Sequence, residues 1–249
     1  KCNKMSQRVL ESGTIVPLCG EINQTFLENC TFEDQQLILS QYFFFLRQEE
    51  LSLRMTSVAG FRRFFEILES RLAANKNGEV PREIPLINKT ILPKLVKGLK
   101  GKKEYQVKDN LEILDGYIHA MNRYKKSGLF QEDLAKVPYL DLKLLQNKTD
   151  LNQDFFENIF DVQNYKRVKA ITILTKKLSL MKNENENKKT ENTVAGAAVE
   201  NTETTEPTEN VTFTVTSLKD IILPVLRFQI LNKSMQEDVL KASGSQSTH

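Results

Sequence analysis

The stretch from residue 32 to about residue 74 constrains the fold most, because its apolar residues recur at the three- and four-residue steps of an α-helix. Thr31 precedes it, a residue type that caps free N–H groups, and acidic residues follow in the first turn. Residues 42–46 are apolar all round, which places this turn among other helices. A break is expected near residues 57–60. We therefore predict a Phe-rich central helix, and we favour a packed core around it over an aromatic-lined ligand cavity.

Other helical patterns follow along the chain. The clearest is an amphipathic stripe at residues 111–121, within a helix predicted over 106–126. Further helices are predicted over residues 91–100, 130–137, 139–146, 151–182 and 217–240. With 10 glycines and 7 prolines, the chain has fewer turn residues than a many-stranded β protein uses. The predicted fold is all-α: an irregular bundle of about five to seven helices around the Phe-rich central helix, with a long disordered internal loop.

Composition divides the chain into four segments. Residues 1–182 form a predicted helical body, whose N-terminal segment is prone to disulfide formation. Residues 183–210 are rich in Asn, Glu and Thr and hold too few apolar side chains to offset chain entropy, so we predict a disordered acidic loop. Residues 211–241 contain an apolar helix that is expected to pack back on the body. Residues 242–249 are predicted to be a flexible tail.

All three cysteines lie near the N-terminus, at Cys2, Cys19 and Cys30. The odd count leaves one thiol over, and the clustering favours a disulfide between two of the three, with the pairing left open. A Cys19–Cys30 bridge would close a short loop, and a bridge of this kind would stabilise the fold by about 2–3 kcal/mol. The alternative is three buried thiols in a cytosolic protein.

Six Asn-x-Ser/Thr sequences, the acceptor motif for N-linked glycans, favour the secretory pathway, since about two or three would be expected by chance. The chain also begins at Lys1 without an apolar leader, which fits either a removed signal peptide or an excised fragment. Asn29, with cysteine in the middle position, and Asn232, inside a predicted helix, are the less favourable acceptors. The favoured acceptors are Asn23, Asn88, Asn147 and Asn210.

The sequence carries no motif for catalysis, metal binding or a cofactor. Its two histidines, His119 and His249, are too few for a His-based metal site. The run from Gly98 to Lys103 resembles a phosphate loop but lacks its spacer and the hydroxyl residue after lysine. No window approaches the roughly 18 apolar residues that cross a bilayer. We therefore predict a non-enzymatic protein with no cofactor and no transmembrane segment.

The net charge of +3 is too small for a dedicated nucleic-acid binder, so no nucleic-acid partner is expected. Part of the positive surplus forms a basic patch, for which a solvated surface is favoured over contact with an acidic partner or a membrane surface. The residues of this candidate contact patch are Lys94, Lys97, Lys100, Lys102 and Lys103.

Two functional hypotheses follow from these patterns. The leading one is a secreted or cell-surface helical glycoprotein that binds a protein partner, or a lipid, without catalysis. The alternative is an intracellular helical adaptor or scaffold protein, in which the glycosylation motifs and the thiols are incidental. Neither the partner nor the oligomeric state can be read from a motif.

Overall fold

The computed structural model describes residues 12–74, 82–126, 137–191 and 212–231. These residues lie in helices, turns and short connections, and no strand occurs among them, so the predicted all-α class is confirmed. None of the described helices combines the length and the apolar composition of a membrane span. The chain divides into two compact units: unit 1, which is Lys1–Leu140 with Thr216–His249, and unit 2, which is Asp141–Val215.

The helices of unit 1 follow one another with short connections. In order they are α1 (Ser12–Glu21), α2 (Phe32–Phe45), α3 (Leu51–Ala74), α4 (Glu83–Leu86), α5 (Leu92–Leu99) and α6 (Glu104–Lys126). Widened π-helical turns extend α1 over Ile22–Phe26 and join α4 to α5 over Ile87–Ile91. Later in the chain, the π-helical turn Leu218–Ile222 leads into the helical residues 223–231.

The helix predicted over residues 32–74 is two helices, because α2 and α3 are separated at residues 46–50. The carbonyl oxygens of Gln48 and Glu49 accept hydrogen bonds from the Arg54 side chain, at 3.4 and 2.6 Å. These two carbonyl groups are therefore not part of a continuous series of helical backbone hydrogen bonds. The break expected near residues 57–60 is wrong, since α3 runs through that segment without interruption.

The central helix of unit 1 is α3, which packs against α1, α2 and α6. Its phenylalanines are buried, and their rings meet those of the neighbouring helices at an angle, the favourable geometry for aromatic pairs. The ring centroids of Phe43 and Phe61 lie 4.7 Å apart, and those of Phe65 and Tyr117 lie 5.7 Å apart. These rings form the packed core that the sequence predicted. Phe44 departs from the prediction, because 47% of its surface is exposed.

A buried hydrogen bond joins α2 to the π-helical turn that follows α1. The Tyr42 hydroxyl donates to Oδ1 of Asn23 at 2.6 Å, and Nδ2 of Asn23 donates to the carbonyl oxygen of Thr56 at 3.3 Å. Burial raises the pKa of Tyr42 well above its ordinary value, so the hydroxyl remains a donor. Gly60 makes room for this contact, because a Cβ atom there would lie 2.7 Å from Cδ2 of Tyr42.

A buried ion pair joins α3 to α6. Nε of Arg54 donates to Oδ2 of Asp109 at 2.8 Å, and the two side chains are 7% and 13% exposed. The guanidinium also lies over the ring of Tyr105, 4.0 Å from its centroid. Burial raises the pKa of Asp109, although the hydrogen bond and the charge of Arg54 oppose that shift. Arg54 therefore favours the charged form of a carboxylate whose pKa burial raises, and the charge of Lys108 acts in the same direction.

Unit 2 is organised around a buried carboxylate. Oδ1 of Asp154 accepts hydrogen bonds from the N–H groups of Phe156 and Glu157, at 2.9 and 3.2 Å, and so caps the next helix. Its Oδ2 accepts from the N–H of Asn147 at 2.9 Å and lies 3.1 Å from Nζ of Lys148. The elements around it are the 3₁₀ turns Leu140–Leu145 and Leu151–Gln153, α7 (Phe155–Asn158) and α8 (Asn164–Glu191).

The last helix of unit 2, α8, continues to Glu191, past residue 183 where the disordered loop was predicted to begin. Residues 183–191 contain Asn, Glu, Lys and Thr but no Gly or Pro, so no helix-breaking residue ends the helix there. The rest of the predicted loop, residues 192–210, and the predicted tail, residues 242–249, lie outside the described residues.

Two glycines in helices should respond to alanine with opposite signs. Gly60→Ala should destabilise the protein by about 1–3 kcal/mol, because the added methyl group overlaps the Tyr42 ring and the core must shift. Gly20→Ala is the matched control: no atom lies within 4 Å of the position that its methyl group would take, so helix propensity should stabilise the protein by about 0.5–1 kcal/mol. Urea unfolding monitored by circular dichroism measures both free energies, and equal effects would contradict the packing described.

Removing one partner of the buried ion pair should destabilise the protein strongly, whereas removing both partners should destabilise it much less. Arg54→Met leaves the Asp109 carboxylate buried and alone, so the free energy of unfolding should fall by about 3–5 kcal/mol. Adding Asp109→Leu should restore a large part of that loss. The control is Arg62→Met, whose ion pair with Glu112 is solvent-exposed and should contribute about 0–1 kcal/mol. The same unfolding experiment compares all three variants.

Candidate functional site

The five lysines of the predicted basic patch lie on α5 and on the connection to α6, but their surroundings differ. Lys100 forms an ion pair with Asp220 at 3.4 Å, and Lys103 forms one with Glu49 at 2.6 Å. The pairing with Glu49 also raises the pKa of Lys103. The other three lysines have no carboxylate at ion-pair distance among the described residues. The patch therefore retains only part of the positive charge that the sequence assigned to it.

Two of the unpaired lysines, Lys94 and Lys97, line a cavity of about 330 Å³ between the end of α2, α5 and the start of α6. Arg47, just beyond the end of α2, adds a third cation that has no ion pair with the described residues. None of the described residues that line this cavity is acidic. We call it the basic cleft, defined by Arg47, Lys94 and Lys97.

Glycines bring the two walls of the basic cleft together. A Cβ atom at Gly98 would lie 2.5 Å from Nδ2 and Oδ1 of Asn110, so only glycine allows α5 to approach α6 this closely. Gly101 is confined as well, since its Cβ would lie 2.9 Å from the carbonyl oxygen of Gly98. Asn110 is buried, and its Nδ2 donates to the carbonyl oxygen of Gln106 at 2.6 Å. Gly98 and Gly101 therefore allow close packing around the cleft. The resemblance of this run to a phosphate loop did not predict that role.

The floor of the basic cleft is apolar. It consists of Phe43 and Leu46, which are buried side chains at the end of α2. Nζ of Lys94 lies 4.9 Å from the ring centroid of Phe43, a distance at which an aromatic face attracts a cation. This contact places the Lys94 ammonium group beside the apolar floor of the cleft.

Arg47 is the cation of the basic cleft that the sequence did not predict. It comes from the end of α2, far along the chain from the lysines of α5, and only tertiary packing brings the two together. An isolated arginine in an amphipathic region carries no local signal of such a site. With it, the cleft has the means to attract and hold a negatively charged group. Among the described residues, no cluster of three or more His, Cys, Asp or Glu side chains is placed to hold a metal ion.

The two cysteines in the described residues are free thiols. Cys19 is buried and Cys30 is partly exposed, and a Cys19–Cys30 bridge, one of the pairings that the sequence left open, is absent from the structure. Burial raises the pKa of both thiols, and the nearby Asp34 carboxylate adds to the shift at Cys30. A buried thiol is stable as a small apolar side chain, which accounts for Cys19 without a bridge. Cys2 lies outside the described residues.

The four favoured glycosylation acceptors lie in different surroundings. Asn23 is only 9% exposed and both ends of its amide are engaged with Tyr42 and Thr56, so a glycan there would displace core contacts. Asn88 is exposed on the π-helical turn before α5. Glycosylation remains a prediction at all four positions, with Asn23 the least favourable of those described.

Asn147 lies in a tight turn in which its side chain bonds to other residues of, and just after, the glycosylation motif. Its Oδ1 accepts from the Thr149 hydroxyl at 2.8 Å and from the N–H of Asp150 at 2.9 Å. Its side chain is half-buried. Asn210 lies outside the described residues.

Alkylation of the folded protein should distinguish the two described thiols. Cys30 should react with iodoacetamide before Cys19, because Cys30 is the more exposed, and both rates should rise with pH as thiolate forms above a raised pKa. Mass spectrometry of the digested protein reads each cysteine separately, and unfolded protein, in which the rates should converge, is the control. A peptide containing a Cys19–Cys30 disulfide would contradict the structure.

Comparison with known proteins assigns no family to the chain. No protein-family model matches it, and no curated protein matches it significantly in sequence. Its function is therefore inferred from the chemistry of the basic cleft and of the surrounding surface.

Proposed function

We propose that this protein acts by binding a partner, without catalysis, and that the basic cleft contacts an acidic segment of that partner. The observation that carries this proposal is the convergence of Arg47, Lys94 and Lys97 on one cavity whose described lining contains no carboxylate. The three side chains are solvent-exposed, and their combined positive charge attracts a negatively charged group to the cleft. Complementary charge also steers a partner towards its site and excludes partners of the wrong sign.

A protein partner is better supported than a lipid. The aromatic rings of α2 and α3, which could have lined a ligand cavity, pack against one another and leave no such space for a lipid between Phe43 and Phe61. The basic cleft has a small apolar floor below charged and amide side chains, a lining that suits a polar, charged chain.

We place this binding in the secretory pathway, as the activity of a glycoprotein at the cell surface or outside the cell. The exposed Asn88 and the turn around Asn147 support this placement, because both leave an acceptor motif at or near the surface. Asn23 adds no support, since its amide is part of the core.

The second candidate function is an intracellular helical adaptor. The free thiols of Cys19 and Cys30 favour it, because thiols persist in the reducing cytosol and tend to pair in secreted proteins. In that setting the basic cleft would contact an acidic segment in the same way. The two candidates differ in compartment and modification, and glycan mapping separates them.

Removing the three charges of the basic cleft should weaken binding to an acidic chain. The triple variant Arg47→Gln, Lys94→Gln, Lys97→Gln should bind immobilised poly-L-glutamate about tenfold or more weakly, because hydrogen bonds to charged groups are lost. Biolayer interferometry at several salt concentrations provides the measurement, and the binding of the unaltered protein should fall as salt rises.

A matched control removes the same charge from another surface. Lys169 and Lys176 are exposed on α8 and Lys177 is partly exposed there, so replacing all three with glutamine should change the affinity by less than about twofold. Equal weakening in both triple variants would mean that net charge alone is responsible, and would refute a site in the cleft.

Glycan mapping tests the compartment. Protein expressed with a signal peptide in a mammalian secretion host should carry glycans at Asn88 and Asn147 and none at Asn23, which is buried. Glycosidase treatment in heavy-oxygen water followed by peptide mass spectrometry marks each site that carried a glycan. Secreted, folded protein with both Asn88 and Asn147 unmodified would favour the intracellular adaptor.

A further inference from the structure

The basic cleft offers more cationic donors than one carboxylate can use. Arg47, Lys94 and Lys97 approach the cavity from two different helices or their ends, and none is paired with a carboxylate of the described residues. A carboxylate has two acceptor oxygens and one charge, whereas a phosphate ester has three free acceptor oxygens and about −1.5 to −2 charges at neutral pH. A sulfate ester presents the same tetrahedral array of oxygens.

Two amide side chains line the cleft and are able to supply uncharged donors. Gln106 and Asn110 face it from the first turns of α6. Nδ2 of Asn110 donates one N–H to the carbonyl oxygen of Gln106 at 2.6 Å, and an amide nitrogen carries two such donors. Cations together with amide donors are the combination that recognises oxyanions in proteins.

The size of the cleft suits an oxyanion attached to a carbon group. Its volume of about 330 Å³ is roughly ten times that of a water molecule, more than a bare oxyanion needs. The apolar floor of Phe43 and Leu46 provides a surface for the carbon atoms that carry the ester. Arginine contributes a planar fork of donors, and the two lysines contribute mobile point charges.

We propose that the basic cleft binds a tetrahedral oxyanion ester, a phosphate or a sulfate group, carried by the partner. This inference rests on the proposed binding function and names the group that the cleft recognises. The ester oxygens accept hydrogen bonds from the Arg47 guanidinium and from Nζ of Lys94 and Lys97, and its carbon side lies on Phe43 and Leu46.

A purely structural role for the three cations makes different predictions. Lys97 lies in the last turn of α5 and Arg47 follows the end of α2, where positive side chains complement the helix dipoles. That role requires no ligand. It predicts that neutralising the cations lowers stability and that no anion binds selectively.

Nuclear magnetic resonance titration of the isotopically labelled full chain tests the proposal. Inorganic phosphate and sulfate should each shift the backbone amides of Gly98 and Gly101 and the side-chain amides of Gln106 and Asn110 along saturating curves. Sodium chloride at the same ionic strength should not. In the triple glutamine variant of the cleft the affinity should fall about tenfold or more, while the α8 control variant should match the unaltered protein. Lys94→Arg with Lys97→Arg should retain binding.

Two ester probes then identify the source of the oxyanion. Phosphoserine and glucosamine 6-sulfate share the tetrahedral group, and tighter binding of one assigns the ester to a phosphorylated or a sulfated partner.

Shifts that follow ionic strength alone, or saturation that persists in the triple variant, would overturn the proposal. If poly-L-glutamate binding still requires the three cations in that case, the proposed function stands and only the oxyanion inference fails. If neither the selective oxyanion titration nor the cation-dependent binding of poly-L-glutamate is observed, the oxyanion inference and the proposed function are both refuted.

Discussion

Unit 1 depends most on the buried contact between Arg54 and Asp109. The Arg54 side chain lies in the first turn of α3, donates to a carboxylate of α6, and bonds the carbonyl oxygens of Gln48 and Glu49 at the end of α2. One guanidinium thus links the connection just before α3 to α6, whose Asp109 is 55 residues further along the chain. Buried ion pairs often contribute little net stability relative to apolar replacements of the same size. We infer that the value of this one is geometric, because it determines where α2 ends with respect to α6.

That geometry also determines the basic cleft. Arg47 lies in the connection whose neighbouring carbonyl groups Arg54 holds, and Gln106 and Asn110 lie on the same turns of α6 as Asp109. Close packing at Gly98 fixes the opposite wall, which carries the lysines. Backbone positions around the cleft are therefore set by buried contacts before any ligand arrives. A site that is organised in advance loses less conformational entropy on binding, so fewer contacts are needed for a given affinity.

The features of the fold that could be predicted from sequence are those with local causes. The start of α2 is one, since the Thr31 hydroxyl accepts from the N–H of Asp34 at 3.2 Å as the residue types predicted. The amphipathic stripe of α6 and the burial of the phenylalanines in α3 are others. The break between α2 and α3 had no such signal, and the side chain that bonds the carbonyl groups there, Arg54, belongs to the next helix. The break expected near residues 57–60 was wrong for a related reason: the role of Gly60, which admits the Tyr42 ring, is visible only in three dimensions.

The candidate site shows the same division between local pattern and tertiary packing. The charge pattern identifies which residues are cations, but it does not show which cations are neutralised. Asp220 and Glu49 are remote in sequence from the lysines they meet, and the packing that supplies them also supplies Arg47. Of the cations without an ion pair among the described residues, Arg47, Lys94 and Lys97 line one cavity, whereas Lys102 lies outside its lining. A row suits an extended polyanion, whereas three charges around one cavity suit a single anionic group, and this difference is the basis of our proposal that the cleft recognises its partner selectively.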